Sequence, residues 1–215
     1  MESDCEVTYY GHSLFVIKSF NGIKIGIDPY NKFIMSNLPD ISADIVLITH
    51  SHSDHSNVSL FKGNPTVIRK PGLYCINNIN IKGIQVYHDN LKGFLRGKNI
   101  IFKFEVDSII FAHLGDIGHI PSDIVINNLL DVDVLMIPVG GKFTINYKKA
   151  HELISNFNPK IVIPMHYRLE DSKFKFLDKV DNFLKLYPDY KIMGNTIKIN
   201  KENLPKETEI WVLKL

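Results

Sequence analysis

Six consecutive residues, His50-Ser51-His52-Ser53-Asp54-His55, hold three imidazoles and a carboxylate, and they follow directly on the apolar run Ile45-Val46-Leu47-Ile48-Thr49. Neighbouring side chains point in different directions along the backbone, so these four cannot all be core residues. A loop leaving a strand end can instead turn them toward one point. There His50 and His52 can chelate one cation, while Asp54 and His55 reach a second beside it. A histidine-rich solvated loop is the plain alternative, but imidazole and carboxylate seldom cluster this way without a metal. The fold must therefore deliver this loop from a buried strand to a protected edge.

The run before the loop does not alternate, which points to a strand buried on both faces and hence to a sheet covered on each side. Further strands are expected at Tyr9–Ile17 and Ile23–Ile27, separated by the turn signal Asn21-Gly22, and at Thr66–Ile68, Ile81–Tyr87, Ile100–Val106, Ile109–Ala112, Val134–Ile137, Ile161–Ile163, Thr196–Ile199 and Glu209–Leu215. Ser56–Phe61 reads as a short helix and 121–130 as another. Residues 147–157 place Ala150, Leu153, Ile154 and Phe157 on one helical face, and Phe174, Leu177, Val180, Phe183 and Leu184 mark a last amphipathic helix. A hairpin, an Asp and a buried strand occur twice: Asp28 precedes Asp44-Ile-Val-Leu-Ile by 16 residues, and Asp116 precedes Asp133-Val-Leu-Met-Ile by 17. Two such halves would form two sheets packed face to face with helices outside; chance similarity between hydrophobic strands is the competing explanation.

No stretch reads as a linker, so residues 1–215 are taken as one domain. The balance of 45% hydrophobic and 22% charged residues excludes a disordered or coiled-coil chain. No apolar run approaches the roughly 20 residues of a membrane span. Net charge is +2, too balanced to argue for nucleic acid. Two cysteines without metal or redox spacing, and an acidic Met1-Glu2-Ser3-Asp4-Cys5 with no apolar signal region, fit a cytoplasmic protein.

More ligands are needed, and strand ends supply them. His88 ends Ile84–Tyr87, Asp116 follows Ile109–Gly115, and His166 ends Ile161–Met165. A lone histidine at a strand end is more often structural than a ligand; three such sites together carry the inference.

With these motifs the sequence resembles the metallo-β-lactamase superfamily. His50-x-His52-x-Asp54-His55 matches its metal motif, and His88, Gly115-Asp116 and His166 match the later ligand motifs in order. Tyr10-Gly11-His12-Ser13, Asp28-Pro29, His113-Leu114-Gly115-Asp116, Pro138-Val139-Gly140-Gly141 and Pro164-Met165-His166-Tyr167 are similar to the hydrolase branch containing ascorbate-6-phosphate lactonase. The likeness spans most of residues 9–167. It implies an α/β fold, a four-layer αβ/βα sandwich of two packed mixed sheets with outer helices, and two divalent metal ions.

Position by position, the resemblance implies one ion on His50, His52 and His88 and a second on Asp54, His55 and His166, with Asp116 bridging. Zn2+ suits this donor set, with Mn2+ or Fe as alternatives. His113 competes with His88 as third ligand of the first ion; motif order favours His88, while spacing does not separate them. Asp28 either buttresses the histidine loop, as in the superfamily, or merely begins the Asp-Pro turn. His12 and His119 border the site or are structural. Tyr167 is either a hydrogen-bond donor to the intermediate or a packed strand-end tyrosine. His151, on the helix, is expected to have no catalytic part.

Two cations sharing a hydroxide would let it attack a carbonyl or phosphorus without a serine or cysteine nucleophile. Arg96, in the basic loop Lys92–Lys98, and Lys142, after Gly140-Gly141, are candidates to meet an anionic substrate, though both loops are also ordinary solvated segments. The expected activity is hydrolysis of a small anionic ester, lactone or phosphoester, by a chain that a homo-oligomer would also suit. A ribonuclease Z-type nuclease is the alternative, but no RNA-gripping insertion is visible. Secreted β-lactamases generally lack the histidine at position 55, glyoxalase II needs a helical domain longer than the 49 residues after His166, and flavodiiron proteins usually carry glutamate where His52 stands. A non-catalytic metal-binding or sensing protein could dispense with Asp54 or Asp116, and both are present.

Overall fold

The computed structural model describes residues 4–215, so the expectation drawn from Met1–Ser3 lies outside the described residues. The N-terminal strands are β1 (Cys5–Tyr9), β2 (Phe15–Lys18), β3 (Lys24–Ile27), β4 (Ile41–Ser42), β5 (Ile45–Leu47), β6 (Phe61–Lys62) and β7 (Thr66–Ile68). There follow β8 (Gly72–Ile76), β9 (Ile79–Tyr87), β10 (Lys98–Val106), β11 (Ile109–His113), β12 (Val134–Pro138) and β13 (Ile161–Met165), then β14 (Tyr190–Met193), β15 (Thr196–Ile199) and β16 (Glu209–Leu213). The helices are α1 (Asp123–Asn127), α2 (Tyr147–Phe157) and α3 (Asp181–Leu184). None is long and apolar enough to cross a membrane.

Two mixed sheets result, ordered β15-β1-β2-β3-β5-β7 and β14-β16-β13-β12-β11-β10-β9-β8. Alternate residues of both sheets meet in one apolar layer, with Phe15, Ile17, Ile25, Ile45 and Leu47 from the first and Phe102, Phe104, Phe111, Met136 and Ile163 from the second. The opposite face of the second sheet packs Ala112, Leu135 and Val162 against Ala150, Leu153 and Phe157 of α2 and Phe183 of α3. On the opposite face of the first sheet, Val16, Val46 and Ile48 are covered by Tyr30, Ile34, Met35, Ile41 and Phe61. This fourth layer consists of connecting segments, the β4–β6 pair and a 3-10 turn at Val58–Leu60, with no α-helix.

The repeated pattern reappears as topology. The antiparallel pair β2–β3 is followed by β5 parallel to β3, and β10–β11 by β12 parallel to β11. Because β9 and β11 both run antiparallel to β10, and β11, β12 and β13 are parallel, β9, β11 and β13 end at one edge. At that edge the sheets are joined by Ile100 N–H donating to the Thr49 carbonyl at 2.9 Å and His166 N–H to the His12 carbonyl at 2.8 Å.

Several elements differ from the sequence expectation. Tyr9–Ile17 is not one strand: Gly11 and His12 adopt positive φ, and Leu14 N–H closes a turn on the Gly11 carbonyl. The helix expected over 121–130 is confined to α1, and that over 56–61 to the 3-10 turn. The pattern from Phe174 to Leu184 is helical only in α3. Upstream of α3 the backbone bonds elsewhere: Lys173 N–H to the Ile34 carbonyl and Asp178 N–H to the Gly140 carbonyl. The strands β8 and β14 were not anticipated; both are edge strands with mostly exposed residues, which leaves no alternating signal.

Candidate metal centre

The strands that lead to the candidate residues deliver them to the joined edge. β3 leads to Asp28, β5 to Thr49 and the His50–His55 loop, β9 to His88, β11 to Asp116, and β13 to His166. His50, His52 and His88 each offer a nitrogen within 4.8 Å of the others, and His12, Asp54, His55 and His166 offer a second set within the same limit. Asp116 lies between them: its oxygens are 3.3 Å from His55 Nε2 and His88 Nε2, 3.2 Å from His166 Nε2 and 3.9 Å from His50 Nε2. Asp28, His50 and His55 also fall together, but both Asp28 oxygens already accept hydrogen bonds.

Those bonds explain what Asp28 does. Oδ1 accepts Thr49 N–H at 2.8 Å; Oδ2 accepts the Thr49 hydroxyl at 2.6 Å and lies 2.9 Å from His55 Nδ1. With its proton on Asp28, the Thr49 oxygen accepts from His50 Nδ1 at 2.9 Å. One carboxylate thus fixes the tautomer of His55 directly and of His50 through Thr49, leaving both Nε2 lone pairs facing Asp116. Carboxylate support of this kind orients metal-binding imidazoles. Asp28 is thus hydrogen-bonded to the histidine loop at Thr49 and His55.

The loop bearing Asp116 is also held. Asn99, fully buried in β10, donates from its amide to the Leu114 carbonyl at 2.8 Å and accepts Asp116 N–H at 3.0 Å. Gly115 has φ +54°, and a Cβ there would sit 2.4 Å from Asn99 Oδ1 and 2.7 Å from Thr49 Cβ, so only glycine fits. His12, Asp28 and His166 all take left-handed backbone at φ +54°, +51° and +51°. Such conformations are unfavourable for non-glycine residues and persist where the surroundings impose them.

His113 is placed elsewhere. It pairs in register with Phe102 and continues the inward face of Ile109 and Phe111. Its Nδ1 accepts Gly115 N–H at 3.1 Å, so Nε2–H donates to the Ser13 carbonyl at 3.0 Å, and both ring nitrogens are committed. His119 is likewise spent on backbone, accepting Tyr87 N–H and donating to the Ile120 carbonyl. Tyr167 is buried in the helix-side core, where burial pushes its phenol up to about 12. His12, by contrast, joins the cluster, with Nε2 3.2 Å from Asp54 Oδ2 and its ring 4.2 Å from that of His166. His151 bonds the Tyr187 hydroxyl on the helix surface. Arg96 and Phe143, the neighbour of Lys142, are brought together, the guanidinium carbon 3.7 Å from the ring centroid.

Burial lowers the pKa of His50 to about 3 and of His12 to about 4, and lowers those of His52 and His113. At His55 burial acts in the same direction but is outweighed by Asp116, Asp28 and Asp54, which raise it well above the ordinary value. For Asp116 and Asp54 burial alone would raise the pKa; the imidazoles around them, His166 and His55 for Asp116 and His55 and His12 for Asp54, hold both below the usual range. His55 then holds Asp28 down in the same way against its burial. Asp28, Asp54 and Asp116 are thus biased toward the carboxylate and His50 and His52 toward the neutral imidazole, the forms in which these groups bind cations, while the carboxylates around His55 bias it the other way.

The donor atoms fit a metal. His50 Nε2, His55 Nε2, His166 Nε2 and Asp116 Oδ1 are buried with no hydrogen-bond partner, and all three nitrogens face Asp116. Each such group costs about 1–3 kcal/mol if left unsatisfied. Thr49, Asn99 and Asp89 were not singled out from sequence. Asn99 carried a usable signal as an amide directly before the apolar run Ile100-Ile101-Phe102.

Residues 6–166 match the beta-lactamase superfamily domain model, and the chain belongs to the metallo-β-lactamase superfamily. Within it, the chain is similar to proteins called UPF0173. One from Pyrococcus abyssi is 30% identical over 181 residues, covering 75% of this chain and 83% of that protein. A UPF0173 metal-dependent hydrolase of Caldivirga maquilingensis is 30% identical over 183 residues, covering 74% and 80%. Among solved structures, a candidate zinc-dependent hydrolase of the superfamily from Thermotoga maritima is 37% identical, with a TM-score of 0.81 over 97% of this chain and 98% of that one. The likeness supports an enzyme of the metal-dependent hydrolase kind, with a four-layer α/β sandwich as its fold.

Proposed function

We propose that residues 1–215 act as one binuclear metal-dependent hydrolase domain that cleaves a small anionic ester, lactone or phosphoester. His50, His52 and His88 would hold one divalent ion, Asp54, His55 and His166 the second, and Asp116 would bridge them. The observation that carries this reading is the convergence of buried, unpartnered nitrogens and a carboxylate oxygen at one sheet edge. Zn2+ suits the donor set, with Mn2+ or Fe as alternatives. Two such ions would supply a nucleophile near neutral pH and positive charge against a developing oxyanion. The chain's own residues do the positioning. Asp28 and Thr49 hold His55 and His50 with their Nε2 atoms inward. Asn99 holds the Asp116 backbone, and His12 steadies Asp54.

The test is to strip the protein with a chelator, reload it separately with Zn2+, Mn2+ or Fe2+, and assay ester, lactone and phosphoester panels. Turnover that returns only with metal is expected. Full metal occupancy with no turnover of any class would favour a non-catalytic binder. Tight, salt-sensitive RNA binding would favour the nuclease alternative, because phosphate contacts release counterions.

A further inference from the structure

We infer that the metal centre opens onto a recognition face with an apolar wall and a cationic end, built for a substrate whose apolar, ring-sized body terminates in a carboxylate or phosphate. This rests on the hydrolase reading above and narrows its substrate.

The wall is a continuous row of rings that begins at the centre. Phe174 stands edge-on to His12 with centroids 5.5 Å apart, and Phe176 lies 5.0 Å from Phe174. Phe143 is 5.2 Å from Phe176, and the Arg96 guanidinium carbon sits 3.7 Å from the Phe143 centroid. Phe176 is 44% exposed and Phe143 half-buried, so the outer part of the row faces solvent, while Phe174 anchors it on the apolar layer that covers the first sheet. Aromatic faces of this kind hold flat apolar groups and stack with cations. A guanidinium stacked through one face keeps its N–H edge free for a two-point hydrogen bond to carboxylate or phosphate. The lysine–carboxylate pairs among the described residues involve other side chains, and Arg96 has no carboxylate partner there.

The loop carrying Arg96 is built around one carboxylate. Asp89, the residue after His88, accepts backbone N–H groups of Leu91 at 2.7 Å, Gly93 at 2.9 Å, Leu95 at 3.0 Å and Arg96 at 2.8 Å. His88 N–H is bonded to the Gly97 carbonyl at 3.0 Å. Arg96 is therefore tied at fixed distance to the strand end that bears His88, an arrangement a merely solvated arginine would not need. On the facing loop, Gly140 packs so closely on His166 that a Cβ would lie 2.1 Å from its carbonyl oxygen, which ties Phe143 to the centre from the other side. Exposed Lys142, at φ +60°, precedes Phe143 and adds a second positive charge to the same loop.

The experiment is calorimetric binding to metal-loaded protein of three probes: 4-phenylbutanoate, butanoate and 4-phenylbutan-1-ol. The acid with the ring is expected to bind about tenfold or more tightly than either partial probe, a difference of ~1.4 kcal/mol. Arg96→Gln should reduce its affinity to that of the alcohol, and Phe176→Ala to that of butanoate, with melting temperature and metal content unchanged in both. Equal binding of all three probes, or a preference that survives Arg96→Gln because the carboxylate sits on the metals, would overturn the inference. A protein that holds two ions and hydrolyses 4-nitrophenyl acetate but shows no preference refutes this face alone. Absence of metal uptake with the preference intact refutes the hydrolase reading alone.

Discussion

Replacing Thr49 by valine isolates the link between Asp28 and His50. Valine keeps the volume and β-branching of threonine, so packing at the end of β5 is preserved and only the hydroxyl is lost. That hydroxyl donates to Asp28 at 2.6 Å and accepts from His50 Nδ1 at 2.9 Å. Its removal leaves His50 Nδ1 without a partner in a buried site, which costs about 1–3 kcal/mol, and takes one of the charge-assisted bonds from Asp28. Asp28 retains Thr49 N–H and His55, so the two losses overlap. A net destabilisation of about 2–3 kcal/mol is expected for the metal-free protein, each kcal/mol lowering the melting midpoint by about 2–4 °C at this size. His50 also loses its tautomer lock, and supporting contacts of this kind are worth about 10–100-fold in metal affinity. Thermal melts and competition with a chromophoric chelator read the two effects separately. Thr49→Val that binds metal within about twofold of wild type would refute the proposed relay.

Other substitutions separate ligands from supports. Asp116→Ala is expected to reduce turnover by orders of magnitude and weaken occupancy of both metal positions; near-normal activity would sink the bridging assignment. Elemental analysis should show His88→Ala losing metal while His113→Ala keeps it and instead melts lower, because His113 joins the Gly115 amide to the Ser13 carbonyl across the sheets; the reverse pattern would make His113 the ligand. Gly115→Ala forces a Cβ against Asn99 and Thr49 at positive φ, and a loss of at least about 1–3 kcal/mol in chemical denaturation is expected. An unchanged denaturation midpoint would show that the loop yields freely.

The strands that bury both faces were legible because short continuous apolar runs bounded by polar residues have few other fates, and β5, β12 and β13 stand where such runs occur. The helix at Tyr147–Phe157 was equally plain, its inward face being Ala150, Leu153, Ile154 and Phe157. Phe174 to Leu184 misled because their helical spacing arises from a segment whose backbone bonds to two other loops. His88 and His113 looked alike, each closing an apolar strand. Yet alternation held a distinguishing signal: Ile109, Phe111 and His113 share one face, so His113 continues the core, whereas His88 follows the last strand residue. The support of His50 by Asp28 was beyond the sequence because it depends on a hydroxyl bridging two residues 22 positions apart, a contact set only by the pairing of β3 with β5.

Metal content per chain, measured by elemental analysis on protein purified without a metal-affinity tag, tests the central claim most directly. About two transition-metal ions per chain are expected, since the two donor sets flank Asp116. A protein that remains at zero or one ion after reconstitution would contradict the binuclear centre.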